Sequence, residues 1–490
     1  MLPDLGDDHH DMASKKTLNE SNLEALGAKR LAELLIEICA GNAVAKRRLR
    51  LELAGVDSPR EIAREIRRRL TTIARSRSFI DWEHRRSLVD DLEIQRRAIT
   101  DQIAKSNPAE GEELMWRFLD LANSVFERCD DSSGTVIGIF HTACSDLGNI
   151  TLLAKSDQKD LADRVFQALI RNDYGQFDGL IVALTPALGQ GGLDHLKQRM
   201  IALSKEPVQR LADKERKVIG FGSSGPIYAD DLAERSRVST VHLALREIAD
   251  AQGDVDAFIA QYDERMRNVP KIAAEISQRL LAADRPKEAW QTIEATQHRR
   301  DDWPDFDWED ARIDVLDALG RGDEAQAARW SCFERSLSAG HLRAYLKRRP
   351  DFDDLEAEER ALAHGERYKS LLQAVSFLVS WPALERAARA VTQRARELDG
   401  DRYEILTPAA DALAGKYPLA ATLVLRAMID FSLTKGRSTR YGHAARHLTE
   451  CASLASTIRD FGTFEAHGAY VSRLRSEHGR KTSFWSQTSL

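Results

Sequence analysis

Cysteine is scarce in this chain. Its 490 residues hold five: Cys39, Cys129, Cys144, Cys332 and Cys451. They are odd in number, far apart and mostly set in apolar helical patterns. That excludes a disulfide framework and fits reduced, buried thiols. No CxxC pair occurs, which removes a structural zinc site. Strict two-residue alternation of apolar and polar residues is nearly absent, so very little sheet is expected. No apolar stretch reaches membrane-spanning length. The best candidate, residues 135–154, is interrupted by His141, Asp146 and Asn149. The opening MLPDLGDDHHDMASKK has acids where a secretory leader would carry lysines. Together these absences predict a cytoplasmic protein. A net charge of −6 argues against a general coat for nucleic acid. No G-x-S-x-G elbow, GxxxxGK[ST] loop, kinase set or zincin motif is present. No catalytic, cofactor-binding or metal-ligating residue is therefore expected, and no cofactor.

Helical hairpins dominate what is there. Residues 237–336 read as helix, tight turn, helix, several times over. Three turns align: Gly253-Asp254-Val255-Asp256-Ala257-Phe258, Arg285-Pro286-Lys287-Glu288-Ala289-Trp290 and Gly322-Asp323-Glu324-Ala325. Ala257 and Ala289 are 32 residues apart, and Ala289 and Ala325 are 36 apart. A further match, Tyr417-Pro418-Leu419-Ala420-Ala421, follows at 96 residues, three periods of 32. That period belongs to helix-pair repeats. Small alanines let two helices cross closely, and the aromatics supply buried area. Ala257, Phe258, Ala289, Trp290, Ala325 and Ala421 are the candidate packing residues of the repeat. The expected fold is all-α: an α-solenoid of helical hairpins resembling tetratricopeptide (TPR-like) repeats, with a basic N-terminal helical subdomain.

The chain divides on this reading into a disordered leader (1–14), a basic subdomain (15–106), middle hairpins (107–230), the repeat array (231–476) and a polar, frayed tail (477–490). Thr17 with Glu20, and Ser21 with Glu24, read as capping boxes for the first helix, which ends at Gly41. A second helix ends at Gly55. Ser58-Pro59-Arg60-Glu61 opens a third, with cap, N1 proline and early acid in order. Its apolar stripe is Ile62, Ile66, Leu70 and Ile73. Arg60, Arg64, Arg67, Arg68 and Arg75 fall on the opposite face. Residues 46–86 hold 13 Lys and Arg against 6 Asp and Glu. These five arginines are candidate anion- or partner-binding residues, since guanidinium forks suit phosphate and carboxylate alike. A plain solvated face is the competing reading.

Residues 220–225, GFGSSG, match the dinucleotide pattern G-x-G-x-x-G literally, but only Val218 and Ile219 precede it and Pro226 follows. The strand-then-helix setting that pattern needs is missing, and a flexible connection is expected instead. Two acidic runs, 301–310 and 351–359, each hold six acids and no base. Trp308 is expected to pack inward at a helix start capped by Asp305 or Asp307, although the runs could also dock on the basic stretch, within one chain or between two copies. His443 and His447 share a helix face without a third ligand. Phe484 and Trp485, in the tail, could cap a groove.

The segments KKTLNESNLEALGAKRLAELLIEI, RSRSFIDWEHRRSLVDDLE, VIGFGSSGPIYADDLAER and YPLAATLVLRAMIDF resemble an uncharacterised family of proteobacterial proteins known only as a domain of unknown function. The resemblance covers nearly the whole chain after about residue 14. It implies a bacterial, helical, TPR-like protein and no known activity. LLIEICAGNAVAKRRLRLEL also resembles the helical part of bacterial SWIM zinc-finger proteins, whose Cys/His motif is missing here. The expected function is a helical-repeat scaffold for a protein or peptide, on the concave face of residues 237–475. The alternatives are a nucleic-acid-associated adaptor using the arginine face of residues 58–77, and an enzyme with a dispersed site. No membrane partner is expected; a homo-oligomer stays open.

Overall fold

The computed structural model describes residues 18–57, 59–207, 216–222, 225–296, 305–350 and 352–488. The leader 1–14, Thr17, Ser58, Ser223 and Ser224, Trp303 and the start of each acidic run lie outside these residues. The described chain is all-α apart from one small hairpin. It divides into two compact units between Gln261 and Tyr262. This division differs from the sequence-based one. The unit boundary falls inside the expected repeat array, and the core of the first unit runs unbroken from Ile62 to Ile248, across 106/107 and 230/231.

In the first unit the main helices are α1 (Gly27–Ile38), α2 (Ala43–Asp57), α3 (Pro59–Arg75), α4 (Arg85–Ala98), α5 (Pro108–Leu119), α6 (Thr135–Ala154), α7 (Gln158–Leu169), α8 (Leu180–Ser204) and α9 (Ala229–Gln252). Asn19, rather than Ser21, caps the short helix before α1, accepting from the Asn22 N–H at 2.8 Å. α2 runs on past Gly55 to Asp57. No residue of α1 is buried; Leu35, Ile36 and Ile38 stand exposed. The apolar stripe of α3 is buried as its period requires. Pro108 sits at the first position of α5, where its missing N–H costs nothing, and Asn107 caps the helix. Phe118 of α5 packs on Phe140 of α6 with ring centroids 5.6 Å apart. α6 is the one described helix long and apolar enough to cross a membrane. It lies in this core, burying Val136, Ile139, Phe140, Ala143 and Leu147. α8 consists of two helices that meet at a kink at Gly189, whose φ of 54° is not helical.

The GFGSSG segment takes part in a hairpin. β1 (Val218–Gly222) pairs antiparallel with β2 (Gly225–Tyr228), which leads into α9. The first turn of α9 carries Asp230 and Asp231, both paired with Arg216. Carboxylates thus occupy the helix N-terminus where a pyrophosphate would have to sit.

The second unit continues with α10 (Pro270–Ala282), α11 (Pro286–Ala295), α12 (Phe306–Ala318), α13 (Gly322–Ser336), α14 (Ala339–Leu346), α15 (Asp353–Glu366), α16 (Leu371–Ser380), α17 (Leu384–Gln393), α18 (Tyr403–Ala414), α19 (Pro418–Thr434), α20 (Tyr441–Ala455) and α21 (His467–His478). Each packs on the next, and α10, α15, α16 and α17 also pack on the next but one. The turns repeat atom for atom. The Arg285 and Arg321 N–H groups reach back five residues, to Leu280 O at 2.8 Å and Leu316 O at 2.9 Å. This closes each preceding helix with a left-handed residue, Asp284 or Gly320. Arg285 then forks onto Glu288 and Arg321 onto Glu324, in each case an acid in the first turn of the next helix.

Acids and bases pair locally in this unit. Asp305 caps α12 and Trp308 is buried, as the sequence predicts. Glu309 meets Arg335, Asp310 meets His341 at 2.9 Å, and Glu359 meets Arg386. Glu366 of α15 takes Arg386 at 3.0 Å and Arg389 at 2.9 Å from α17. The Arg389 hydrogen bond, more than any other contact, holds the Glu366 carboxyl below the usual carboxylate range. Glu366→Gln should cost about 1–2 kcal/mol at neutral pH, an ion-pair figure reduced for the exposure of Arg389. A depressed carboxyl stabilises above its unfolded pKa and loses that contribution as pH falls through the folded one. Thermal unfolding of both forms from neutral to acidic pH should therefore show the gap closing on the acid side. A gap constant with pH would mean that the charge of Glu366 contributes nothing.

Candidate functional site

The candidate packing residues separate by helix position. Phe258, Ala289, Ala325 and Ala421 each stand four residues after the residue capping their helix, and all are at most 1% exposed. Ala257 stands one place earlier and is half-buried. The first turn is built like the other two, with the cap directly after the left-handed residue (Asp254 after Gly253, accepting from the Ala257 N–H at 3.0 Å), so Phe258 and not Ala257 is the equivalent of Ala289 and Ala325. Ala289 brings its carbonyl to the Ser277 hydroxyl of α10, which donates to it at 3.2 Å. Trp290 is half-buried against Ile313, Leu316, Ala325 and Ala328, with the Arg321 guanidinium 4.3 Å above its ring.

The arginine face of α3 is largely neutralised within its own unit. Arg64 reaches Glu61 at 3.7 Å, Arg68 reaches Glu65 at 2.7 Å and Arg67 pairs with Glu110. Arg60 and Arg75 are exposed and form no ion pair with a described residue. His443 and His447 line a 270 Å³ cavity with Tyr403, Met428 and Arg440. His443 Nδ1 accepts from Arg446 at 2.8 Å, and His447 Nδ1 lies 3.4 Å from Glu450. Among the described residues no group of three or more His, Cys, Asp or Glu stands together as metal ligands.

The most elaborate polar site is a groove of about 910 Å³ in the second unit, open along one side. One wall is residues 392–397, where α17 ends. Its floor is the α19 face carrying Leu423, Arg426, Ala427 and Asp430, and the far wall is Phe464, Glu465, Tyr470 and Arg473. Gly400 lets the first wall close on the floor. A Cβ there would lie 2.0 Å from the Ala427 carbonyl oxygen, so no larger residue fits.

Charge lines this groove in a specific order. The Tyr470 hydroxyl donates to Asp430 at 3.0 Å, and Arg473 reaches Asp430 at 3.3 Å and Glu465 at 3.1 Å. Burial pushes the Asp430 carboxyl upward against the pull of Arg473, and burial also raises Tyr470 well above the phenol range. Arg394 forks onto Glu397. Arg396 is exposed at the rim with no ion pair to a described residue. Arg426, only 5% exposed, donates from one nitrogen to Glu465 O at 2.7 Å and forms no ion pair with a described residue. Sequence reasoning missed this site because its walls come from segments up to 81 residues apart, Thr392 to Arg473. One signal was available: Arg426 and Asp430, four apart, interrupt the apolar run of α19, and buried charges need partners.

These features define an all-α protein whose second unit carries a charged, open groove on stacked helices. The chain belongs to a family of unknown function, DUF6880, whose model matches residues 13–487. No curated protein matches the chain, and no solved structure does.

Proposed function

We propose that residues 262–490 form an α-solenoid, TPR-like in its helix pairing, that serves as a scaffold for an extended peptide segment of a protein partner. The observation that carries this is the 910 Å³ groove. A small-molecule site of such volume encloses most of its ligand. A site of this volume that is open to solvent leaves a small ligand largely uncovered and suits a larger one. Neighbour-on-neighbour helix packing supports the solenoid reading, since each pair then presents its turn to a shared surface. Five free, buried thiols support a cytoplasmic setting. The nucleic-acid reading has weaker support. With three of five α3 arginines already paired, two free phosphate contacts would give a salt slope of only about −2 on a logarithmic scale.

Selection of a random linear-peptide library on the full-length protein tests the proposal. Enriched sequences should share a motif and bind at least tenfold more weakly to Arg396→Glu, which reverses charge at the rim without touching the core. No enrichment over the unselected pool, or binding indifferent to that substitution, would sink it.

A further inference from the structure

Arg426, on the floor of the groove, and its neighbours Thr422 and His467, outside the groove lining, hold a concentration of unanswered polar atoms. Arg426 Nε and one of its terminal nitrogens, the Thr422 hydroxyl and both ring nitrogens of His467 are buried with no hydrogen-bond partner. Thr422 is one turn before Arg426 on α19, and the field of Arg426 acts on His467. Buried polar groups are ordinarily satisfied, and an unsatisfied set in one place calls for a missing partner. A buried guanidinium without a counter-ion is costlier still.

The partner's chemistry follows from the donors. Arg426 is held in plane by the Tyr470 ring, 4.3 Å away, and by Phe461 at 5.7 Å, so its edge cannot swing out to solvent without losing both. Burial, then the charge of Arg426, lowers the pKa of His467, so it is neutral and offers one N–H. Burial raises the Cys451 thiol to about 12, so no thiolate competes for the guanidinium. Asp430, one turn beyond, is already engaged by Tyr470 and Arg473. Donors therefore exceed acceptors around one uncompensated positive charge. The groove lining has four arginines against three carboxylates, an excess of one. That matches a singly charged anion better than a doubly charged phosphate.

We infer that Arg426, Thr422 and His467 form a receptor for a carboxylate of the bound peptide. The inference rests on the groove reading for its ligand, but its test does not require a natural partner. The probes are N-acetyl-trialanine as free acid, the same peptide as its C-terminal amide, an amidated acetyl-Ala-Asp-Ala, and inorganic phosphate. Each is titrated at constant ionic strength into the full-length protein while thermal unfolding is followed. A carboxylate probe at about five times its Kd should raise Tm by roughly 2–4 °C. A response to the free acid marks a chain terminus as the source, and a response to the aspartyl amide marks an acidic side chain. Arg426→Gln should abolish the response. His467→Ala, which leaves Arg426 in place, should weaken it at least threefold in Kd should the first variant fail to fold. Equal, non-zero shifts from trialanine acid and amide, no shift from either carboxylate probe, or a larger shift from phosphate would each overturn the assignment. Library peptides that bind equally well as acid-free amides would overturn it too, yet leave the groove proposal standing. An acid-specific shift without any selected peptide would overturn the groove proposal alone.

Discussion

Gly148→Ala is expected to destabilise the first unit by about 3 kcal/mol, while Gly138→Ala on the same helix should stabilise it by about 0.5–1 kcal/mol. Both glycines lie in α6, where alanine is intrinsically the better residue. Only the surroundings differ. A Cβ at Gly148 would lie 2.2 Å from the Ala183 carbonyl oxygen of α8, a backbone atom that cannot rotate away. α6 and α8 would have to separate by about an ångström, loosening the packing of Leu147 and Leu184 that both helices bury. A Cβ at Gly138 meets nothing within 4 Å. Hydrogen-exchange protection of peptides from 135–154 and 180–204 measures both effects. Faster exchange in the first variant and slower exchange in the second is the expected pattern. Unchanged protection in Gly148→Ala would mean that the two helices do not meet there.

The contrast between what sequence yields and what it withholds follows the range of the interactions. Helix ends are local, so Pro59 and Asp305 mark their helices as read. The forks of Arg285 on Glu288 and Arg321 on Glu324 are local too, and the 36-residue spacing of Ala289 and Ala325 survives to the atomic level. Ala257 fails by one residue because the three turns superpose on their left-handed residues, Gly253, Asp284 and Gly320, and four residues past the cap that position is filled by Phe258 and not by an alanine. The arginine face of α3 was legible as a face. Its neutralisation was half legible, since Glu61 and Glu65 are three residues before Arg64 and Arg68, whereas Glu110 comes from another helix. The hairpin at 218–228 escaped because glycine, in both strands, and proline, in the second, have low strand propensity, and only the pairing of the two segments makes strands of them. Arg426 shows the limit most sharply: its charge in an apolar helix is visible in sequence, but Tyr470 and His467 reach it only through the fold.

Phe484→Ala is expected to cost the second unit about 3–5 kcal/mol, the range for removing a fully buried aromatic ring. Composition alone suggests a polar, frayed tail after residue 477, for which any substitution would fall within about 0.5 kcal/mol of neutral. The structure places Phe484 at 0% exposure in the core shared by α18, α19 and α20. Its ring meets Tyr441 edge-on at 6.1 Å and Trp485 at 5.0 Å. The turn that delivers it is fastened by Trp485 Nε1 donating to His478 O at 3.0 Å and by Lys481 Nζ donating to the Tyr441 hydroxyl at 3.2 Å. The ring thus covers apolar surface that α20 would otherwise show to water. Ser483→Ala, an exposed neighbour, serves as the neutral control. Chemical denaturation of the two variants separates the readings: a large loss for Phe484 alone establishes the segment as a cap, and equal, small effects would return it to the status of a tail. Because Tyr441 and Cys451 share a helix, a loosened cap should also transmit to the groove floor through α20, so Phe484→Ala should weaken peptide binding at concentrations of denaturant where the wild-type groove is still intact.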